Sequence, residues 1–450
     1  MERVSGRDFK GQWDALAIAT VVLLAFSIVF GGASREHALR LAIVELAALP
    51  ALVLSAGRLI QTGAWREYRF ALGLFAAALA VPLVQLLPLP PAVWTGLPGR
   101  DQLVLALELA GLQPGWGPLT LAPDLTWRSA LALIPPAAML MATLTVSPPF
   151  RTRVLALCLA AAVLSILLGA AQLASGGERL YPWETTAPGN MTGFFANRNH
   201  LASMLLAMLP FGLVFGASSL RRRDGNRFAL WFAALFVGLV VIALAAIRSR
   251  AGIMLFAPVM ATSLLSAWLA TGRGRPAPAL LLLVGATGAA LTAVAVLALP
   301  PILARFESQD SQLRLDRWPA VAEAAQTYLP LGSGIGSFDA VYRSVEPLDE
   351  LDYSFFNQAH NEYLETWLEA GWLGAAVFLA FLVWYVRRTW SAWKAPPTDE
   401  RNLQRAASIA IGVFLLHSVA DYPLRTAALA VLLALFCGLL ELTRSPNRRV

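Results

Sequence analysis

The chain has 450 residues, 57% hydrophobic and only 14% charged, where soluble domains carry roughly a quarter charged residues. Its mean hydropathy of +0.61 excludes a soluble globular protein and marks an integral membrane protein. The net charge of +7 is read through its distribution between loops, and no nucleic-acid partner is expected.

Apolar runs long enough to cross a hydrocarbon core of roughly 30 Å fall at about 14–30, 38–56, 70–88, 128–146, 154–173, 197–217, 228–247, 251–270, 278–299, 368–386, 406–422 and 426–442. Backbone groups in lipid must be satisfied within the segment, and ten-residue alternating stretches are lacking, so the runs are read as helices rather than barrel strands. The expected fold is all-α, a polytopic membrane protein with about 12 transmembrane helices forming one domain over 1–450. The first run is read as a retained span rather than a removed signal peptide.

With the N-terminus inside, 22 of the 35 lysines and arginines lie in the inside segments. The positive-inside rule then places both termini in the cytoplasm.

Two outward segments exceed what a connector needs. The first, 89–127, holds Trp94, Trp116 and Trp127 around an amphipathic stretch near 101–111, and reads as an interfacial helix anchored by tryptophans. The second, 300–367 between spans 9 and 10, has eleven acidic residues against four arginines. Arginines kept on such an acidic surface suggest an anionic ligand.

Arg198 opens the sixth run within Asn197-Arg198-Asn199-His200, and Arg250 follows Ser249 where almost no room remains for a loop between two spans. Each arginine alone could simply snorkel to lipid headgroups. Arg314 and Arg317 stand at i, i+3 on a helix that Asp310 or Ser311 could cap. They could grip one phosphate together or pair with neighbouring acids. The topology puts 198, 250, 314 and 317 at the same membrane face, and planar guanidinium forks suit a pyrophosphate there.

Gly332-Ser333-Gly334-Ile335-Gly336 lacks a nucleotide-binding spacing and is read as a tight turn. His360, followed by Asn361, precedes the tenth run. Helical spacing would set it above an apolar seam with Leu364 and Leu368, where a partly buried neutral imidazole is a workable general base. It could equally be a structural hydrogen-bond donor. No carboxylate stands three or four residues away, so an orienting acid has to come from elsewhere in the fold. The two cysteines lie in apolar runs and the four histidines are scattered; no disulfide framework, metal site or cofactor is expected.

The stretches RLDRWPAVAEAAQTYLPLGSGIGSFDAVYRSV and NQAHNEYLETWLEAGWLGAAVFL, with FFANRNHLASMLLAMLP and SRAGIMLF upstream, resemble the O-antigen ligase and O-antigen polymerase family over roughly 195–385. The earlier PLPPAVWTGLPGR and LTLAPDLTWRSALALIPPAAM are similar to exopolysaccharide-associated members. The resemblance implies a GT-C-like inner-membrane glycosyltransferase acting at the periplasmic face on undecaprenyl-pyrophosphate-linked glycan. It implies a glycan or lipid A-core acceptor, with a chain-length regulator as a further partner. By motif it implies His360 as catalytic base and Arg198, Arg250 and Arg314 as pyrophosphate ligands, with Asn361 and Ser249 in the same motifs supporting them. Arg317 is added from spacing. Asp421 after His417 resembles the family's distal histidine-to-acid element. The chemistry expected is direct, metal-independent displacement with inversion. A ligase, a polymerase and a protein O-oligosaccharyltransferase share these motifs; a lipid-linked glycan transporter or flippase and a structural assembly partner are the readings outside this chemistry.

Overall fold

The computed structural model describes residues 13–33, 37–176, 179–183, 189–220, 228–272, 285, 288, 309–346 and 356–442, with side chains from 316 onward in the helix that starts at 309. Among the described residues the protein is all-α apart from one two-residue ladder. Helices α1 (Ala15–Phe30), α2 (Ala38–Thr62) and α3 (Arg69–Gln85) lead to β1 (Pro88–Leu89), α4 (Pro91–Trp94), α5 (Asp101–Leu109) and β2 (Gly117–Pro118). Then come α6 (Pro123–Leu131), α7 (Ile134–Thr145), α8 (Pro148–Ala174), α9 (Arg198–Ser219), α10 (Phe228–Ile247) and α11 (Arg250–Thr271). The C-terminal part has α12 (Gln309–Thr327), α13 (Phe338–Val345), α14 (Glu362–Lys394), α15 (Asp399–His417) and α16 (Ala427–Glu441).

Among the described residues seven helical stretches are long and apolar enough to cross a membrane: α2, α6–α7 together, α8, α9, α10, α11 and α14. The shorter α1, α3 and α16 are also apolar. Eleven of the twelve predicted runs fall on described helices, and of the ninth, 278–299, only residues 285 and 288 are described. Several boundaries differ, two of them next to the residues of interest. The eleventh helix ends at His417 instead of 422, followed by a turn that leads to Pro423. The tenth begins at Glu362 and continues to Lys394, interrupted at Gly371 (φ 54°, ψ −144°). No side chain fits there: an added Cβ would lie 2.3 Å from the Pro330 carbonyl oxygen.

Helix α9 is the axis of the bundle, packed against α8, α10, α11 and α15 and buried almost all round. In lipid, helices gain little from apolar burial as such, and close backbone approach through small residues does much of the joining. Gly252 near the start of α11 faces Ala202 near the start of α9, where an added Cβ would come within 2.9 Å of the alanine methyl. These two starts therefore lie side by side at one end of the bundle.

At that end the two long connecting segments are folded on each other. Arg100 is buried, donates to the Leu119 carbonyl and lies 5.8 Å from the Tyr328 ring centroid. Leu121 N donates to Ser333 O at 2.8 Å, and Thr126 Oγ1 to Ile335 O at 2.7 Å. The stretch near 101–111 does contain a helix, α5, whereas Trp94 is buried, its Nε1 donating to Gly115 O at 2.8 Å. Trp116 and Trp127 are exposed. Val321, Ala325, Tyr328, Phe338, Tyr342, Phe356 and Leu368 form a second apolar core beneath α12 and α13.

Candidate active site

His360 is not on a helix. It has φ 50°, the left-handed region that costs most non-glycine residues energy and is less unusual for histidine. Asn361 then caps α14, its Oδ1 accepting from Tyr363 N and Leu364 N, both at 3.1 Å. The expected helical seam with Leu364 and Leu368 is thereby replaced, since the cap sits between the imidazole and the first turn. The loop is fixed on its other side by Trp318, whose Nε1 donates to the Ala359 carbonyl at 2.9 Å. Helix α12 in this way braces the histidine loop through Trp318.

The orienting acid that local spacing lacks arrives from the turn after α15. His360 Nδ1 faces Asp421 Oδ1 at 3.4 Å, with side-chain exposures of 12% and 1%. Asn199 Nδ2 donates to Asp421 Oδ2, Asn197 Nδ2 reaches the same oxygen at 3.5 Å, and Tyr422 N donates to Oδ1 at 2.9 Å. Burial disfavours ionisation of Asp421. The His360 hydrogen bond and charge, with smaller contributions from His200 and His417, outweigh it and hold the carboxyl below its usual range. The imidazole stacks obliquely between Phe356 and Tyr422, at centroid distances of 5.9 and 4.9 Å.

Around this pair the predicted residues are distributed unevenly. Arg198 lies between the two asparagines that hold Asp421, and its Nη1 donates to Asn190 Oδ1 at 2.6 Å. Arg250 begins α11 beside the start of α9 and is half-buried. Ser249 is buried and caps α11, its Oγ accepting from Gly252 N at 3.1 Å. Arg317 is buried, 5.0 Å from the Phe356 ring centroid and with Nη2 4.0 Å from Glu346 Oε1. Arg314 stands one turn before Trp318 on α12, and its side chain lies outside the described residues. Asp310 and Ser311 fall inside α12 rather than at its cap.

Sequence reasoning missed a set of carboxylates just beyond His360. Glu362, Glu365 and Glu369 share one face of α14 and are buried. Glu362 accepts from Ser418 Oγ and, at 2.8 Å, from Leu424 N. Glu365 Oε2 accepts from Ala359 N at 3.1 Å. Glu369 Oε1 accepts from Gly336 N at 2.8 Å and Phe338 N at 3.2 Å, which closes the glycine-rich turn. Arg425 Nη2 lies 3.0 Å from Glu365 Oε1 and 2.9 Å from Glu369 Oε2. The available signal was the i, i+3, i+7 spacing itself: three acids on one face of an otherwise apolar helix require partners. His417, whose Nδ1 pairs with Ser203 Oγ at 2.7 Å, joins the start of α9 to the end of α15.

Beside these residues an apolar cavity of about 650 Å³ runs between α3, α7, α14 and α16. Glu362, Ser418 and Arg425 form its polar edge.

Residues 191–379, which include the start of α9, α11, α12 and the His360 loop, match the family model for O-antigen ligase. The chain carries an O-antigen ligase domain. This domain supports a membrane glycosyltransferase of the O-antigen ligase and polymerase type. No curated protein matches the chain. Asp421 and Arg425 lie beyond the matched residues, yet both fold back onto the ligase domain's histidine loop and α14.

Proposed function

We propose that the protein transfers glycan from undecaprenyl pyrophosphate to a sugar hydroxyl, on a growing polysaccharide or a lipid A-core acceptor, at the periplasmic face of the bacterial inner membrane. The observation that carries this reading is the His360–Asp421 pair. With Nδ1–H directed at the carboxylate, the basic lone pair is on Nε2, and the carboxylate stabilises the imidazolium that proton uptake creates.

In the proposed reaction Nε2 takes the proton of the acceptor hydroxyl as its oxygen attacks the anomeric carbon. The bond from that carbon to phosphate oxygen breaks, its electron pair leaving with the lipid pyrophosphate. The departing group needs charge neutralisation more than a proton. Arg198 and Arg250, at the adjoining starts of α9 and α11, and Arg314 on α12 are assigned to that task. Arg317, buried against Phe356, is assigned to the rear of the same anion site. The large apolar cavity with its polar edge at Glu362 and Arg425 suits a substrate that has both a hydrocarbon chain and a charged head. Attack opposite the leaving group implies inversion, and no resident cofactor is invoked.

The test uses full-length protein in lipid nanodiscs with a polyprenyl-pyrophosphate-linked glycan. A new glycosidic bond and released lipid pyrophosphate are expected with wild type and not with His360→Ala. Substantial transfer by that variant removes His360 from the mechanism. A product ladder from donor alone indicates polymerase, product only with a second glycan indicates ligase, and labelled polypeptide indicates protein glycosylation. Translocation of glycan in liposomes without a new bond sinks the enzymatic reading. So does a product that keeps the donor's anomeric configuration for the inverting step, while loss of activity with chelator and its return with a divalent ion sinks metal independence.

A further inference from the structure

His360 and Asp421 come from two loops, one ahead of α14 and one behind α15. Each loop is fastened to a different carboxylate of the same helix face. Glu365 holds the histidine loop through Ala359 N, and Glu362 holds the aspartate turn through Ser418 Oγ and Leu424 N. Glu369, one turn further on, holds the glycine-rich turn. Arg425 belongs to the aspartate turn, four residues after Asp421, and its Nη2 reaches Glu365 and Glu369 at once. It is thus the one side chain among the described residues that joins the Asp421 turn to the carboxylates anchoring the other two loops.

We propose that Arg425 is a positioning residue for glycosyl transfer: by bridging Glu365 and Glu369 it sets the distance and angle between the His360 imidazole and Asp421. This rests on His360 being the base. Glu365 and Glu369 have side chains with no exposure, and two unscreened buried carboxylates repel unless a cation stands between them. Burial alone favours loss of the Arg425 proton, and the two glutamates more than reverse that, so the cation stays. Removing it leaves Glu365 to take up a proton or to withdraw from Ala359 N. Either change releases the backbone next to a histidine already held at φ 50°. Both contacts are made by a single nitrogen, so an ammonium at that point satisfies the same geometry.

The experiment compares wild type, Arg425→Lys, Arg425→Met and Glu365→Gln, each as full-length protein in nanodiscs, with His360→Ala as the reference for lost chemistry. Transfer is measured across pH as kcat and as KM for the lipid-linked donor. Arg425→Met is expected to lower kcat by about 10- to 100-fold, the scale of a misplaced catalytic group, with donor KM within about twofold of wild type. The pH–kcat profile should move as well, because the imidazole loses its fixed acid. The ionisable groups in contact with it are Asp421 and Tyr422; those packed against its loop and its acid are Arg425 from the turn, Glu362, Glu365 and Glu369 from α14, and His200 and His417 from α9 and α15. Arg425→Lys should recover most of kcat and the wild-type profile.

If Arg425→Met does not accumulate in the membrane, Glu365→Gln takes its place: it keeps an oxygen for Ala359 N but loses the charge, and is expected to shift the profile in the same direction. Wild-type kcat and pH profile in either neutral variant overturn the proposal. So does a lysine variant no better than methionine, since the side chain then serves packing alone. His360→Ala retaining transfer overturns the underlying reading instead, so the two failures are told apart.

Discussion

Asn199 and His360 divide one carboxylate between them: the asparagine amide bonds Oδ2 of Asp421, and the imidazole nitrogen faces Oδ1 at 3.4 Å. The acid is thereby fixed in rotation, with Asn197 Nδ2 also 3.5 Å from Oδ2 and the Tyr422 amide donating to Oδ1. Replacing Asp421 with asparagine keeps the shape but offers the histidine an amide. It is expected to cut kcat by about 100-fold or more, as when a base loses the carboxylate that sets its tautomer, with donor KM little changed. Asn199→Ala should show the same pattern at about a tenth of that severity. Steady-state transfer rates on the two variants check both; a rise in donor KM without loss of kcat refutes the assignment.

Trp318 bonds the histidine loop through the Ala359 carbonyl. Trp318→Phe keeps the ring and deletes the donor, leaving a buried acceptor unpaired. A loss of about 1 to 3 kcal/mol of stability is expected, together with reduced kcat, read by thermal unfolding in detergent and by the transfer assay. Unchanged values for both would show that the histidine loop needs no support from α12.

Arg250→Lys preserves charge at the start of α11 but not the planar fork. If this arginine binds pyrophosphate bidentately, donor KM should rise about tenfold or more. Lysine with near wild-type turnover and KM reduces Arg250 to a simple surface cation.

Gly371→Ala places a methyl against the Pro330 carbonyl at a left-handed position. The expected cost is about 2 kcal/mol or more, visible as a lower unfolding temperature. An alanine variant as stable as wild type would mean that α14 can run straight through this point.

Acid should weaken the site through Asp421. Its pKa is depressed in the folded protein, so the stability it contributes is complete above the unfolded value of about 3.9 and is lost as pH falls below that toward the folded value. Wild type should therefore lose more unfolding temperature than Asp421→Asn when taken from about pH 5 to pH 3. Parallel curves would show that the carboxylate is not held in its charged form by folding.

Much of the bundle was legible because apolar length is a strong signal: eleven predicted runs coincide with described helices, and Asn197, Ser249 and Asn361 stand as caps where their residue types suggest. The glycine-rich run is the tight turn that its spacing indicated, with Gly332, Gly334 and Gly336 all at positive φ. The site was legible as a set of residues and not as a geometry. His360 looked helical because apolar residues follow at helical spacing, whereas Asn361, a favoured cap residue, starts the helix just after it. Arg425 went unnoticed because its partners lie 56 and 60 residues away, on a helix face that straddles the end of the acidic segment, with Glu362 and Glu365 inside 300–367 and Glu369 beyond it.

The tripeptide Asn197-Arg198-Asn199 sends its two amides to Asp421 while the guanidinium between them bonds Asn190. Alternate residues thus serve opposite walls, and what separates them is register rather than composition. Losing or gaining one residue here would rotate the sequence by one position and aim a permanent cation at the acid that steadies the base. The length of this short stretch is therefore under tighter constraint than the identity of most side chains around it.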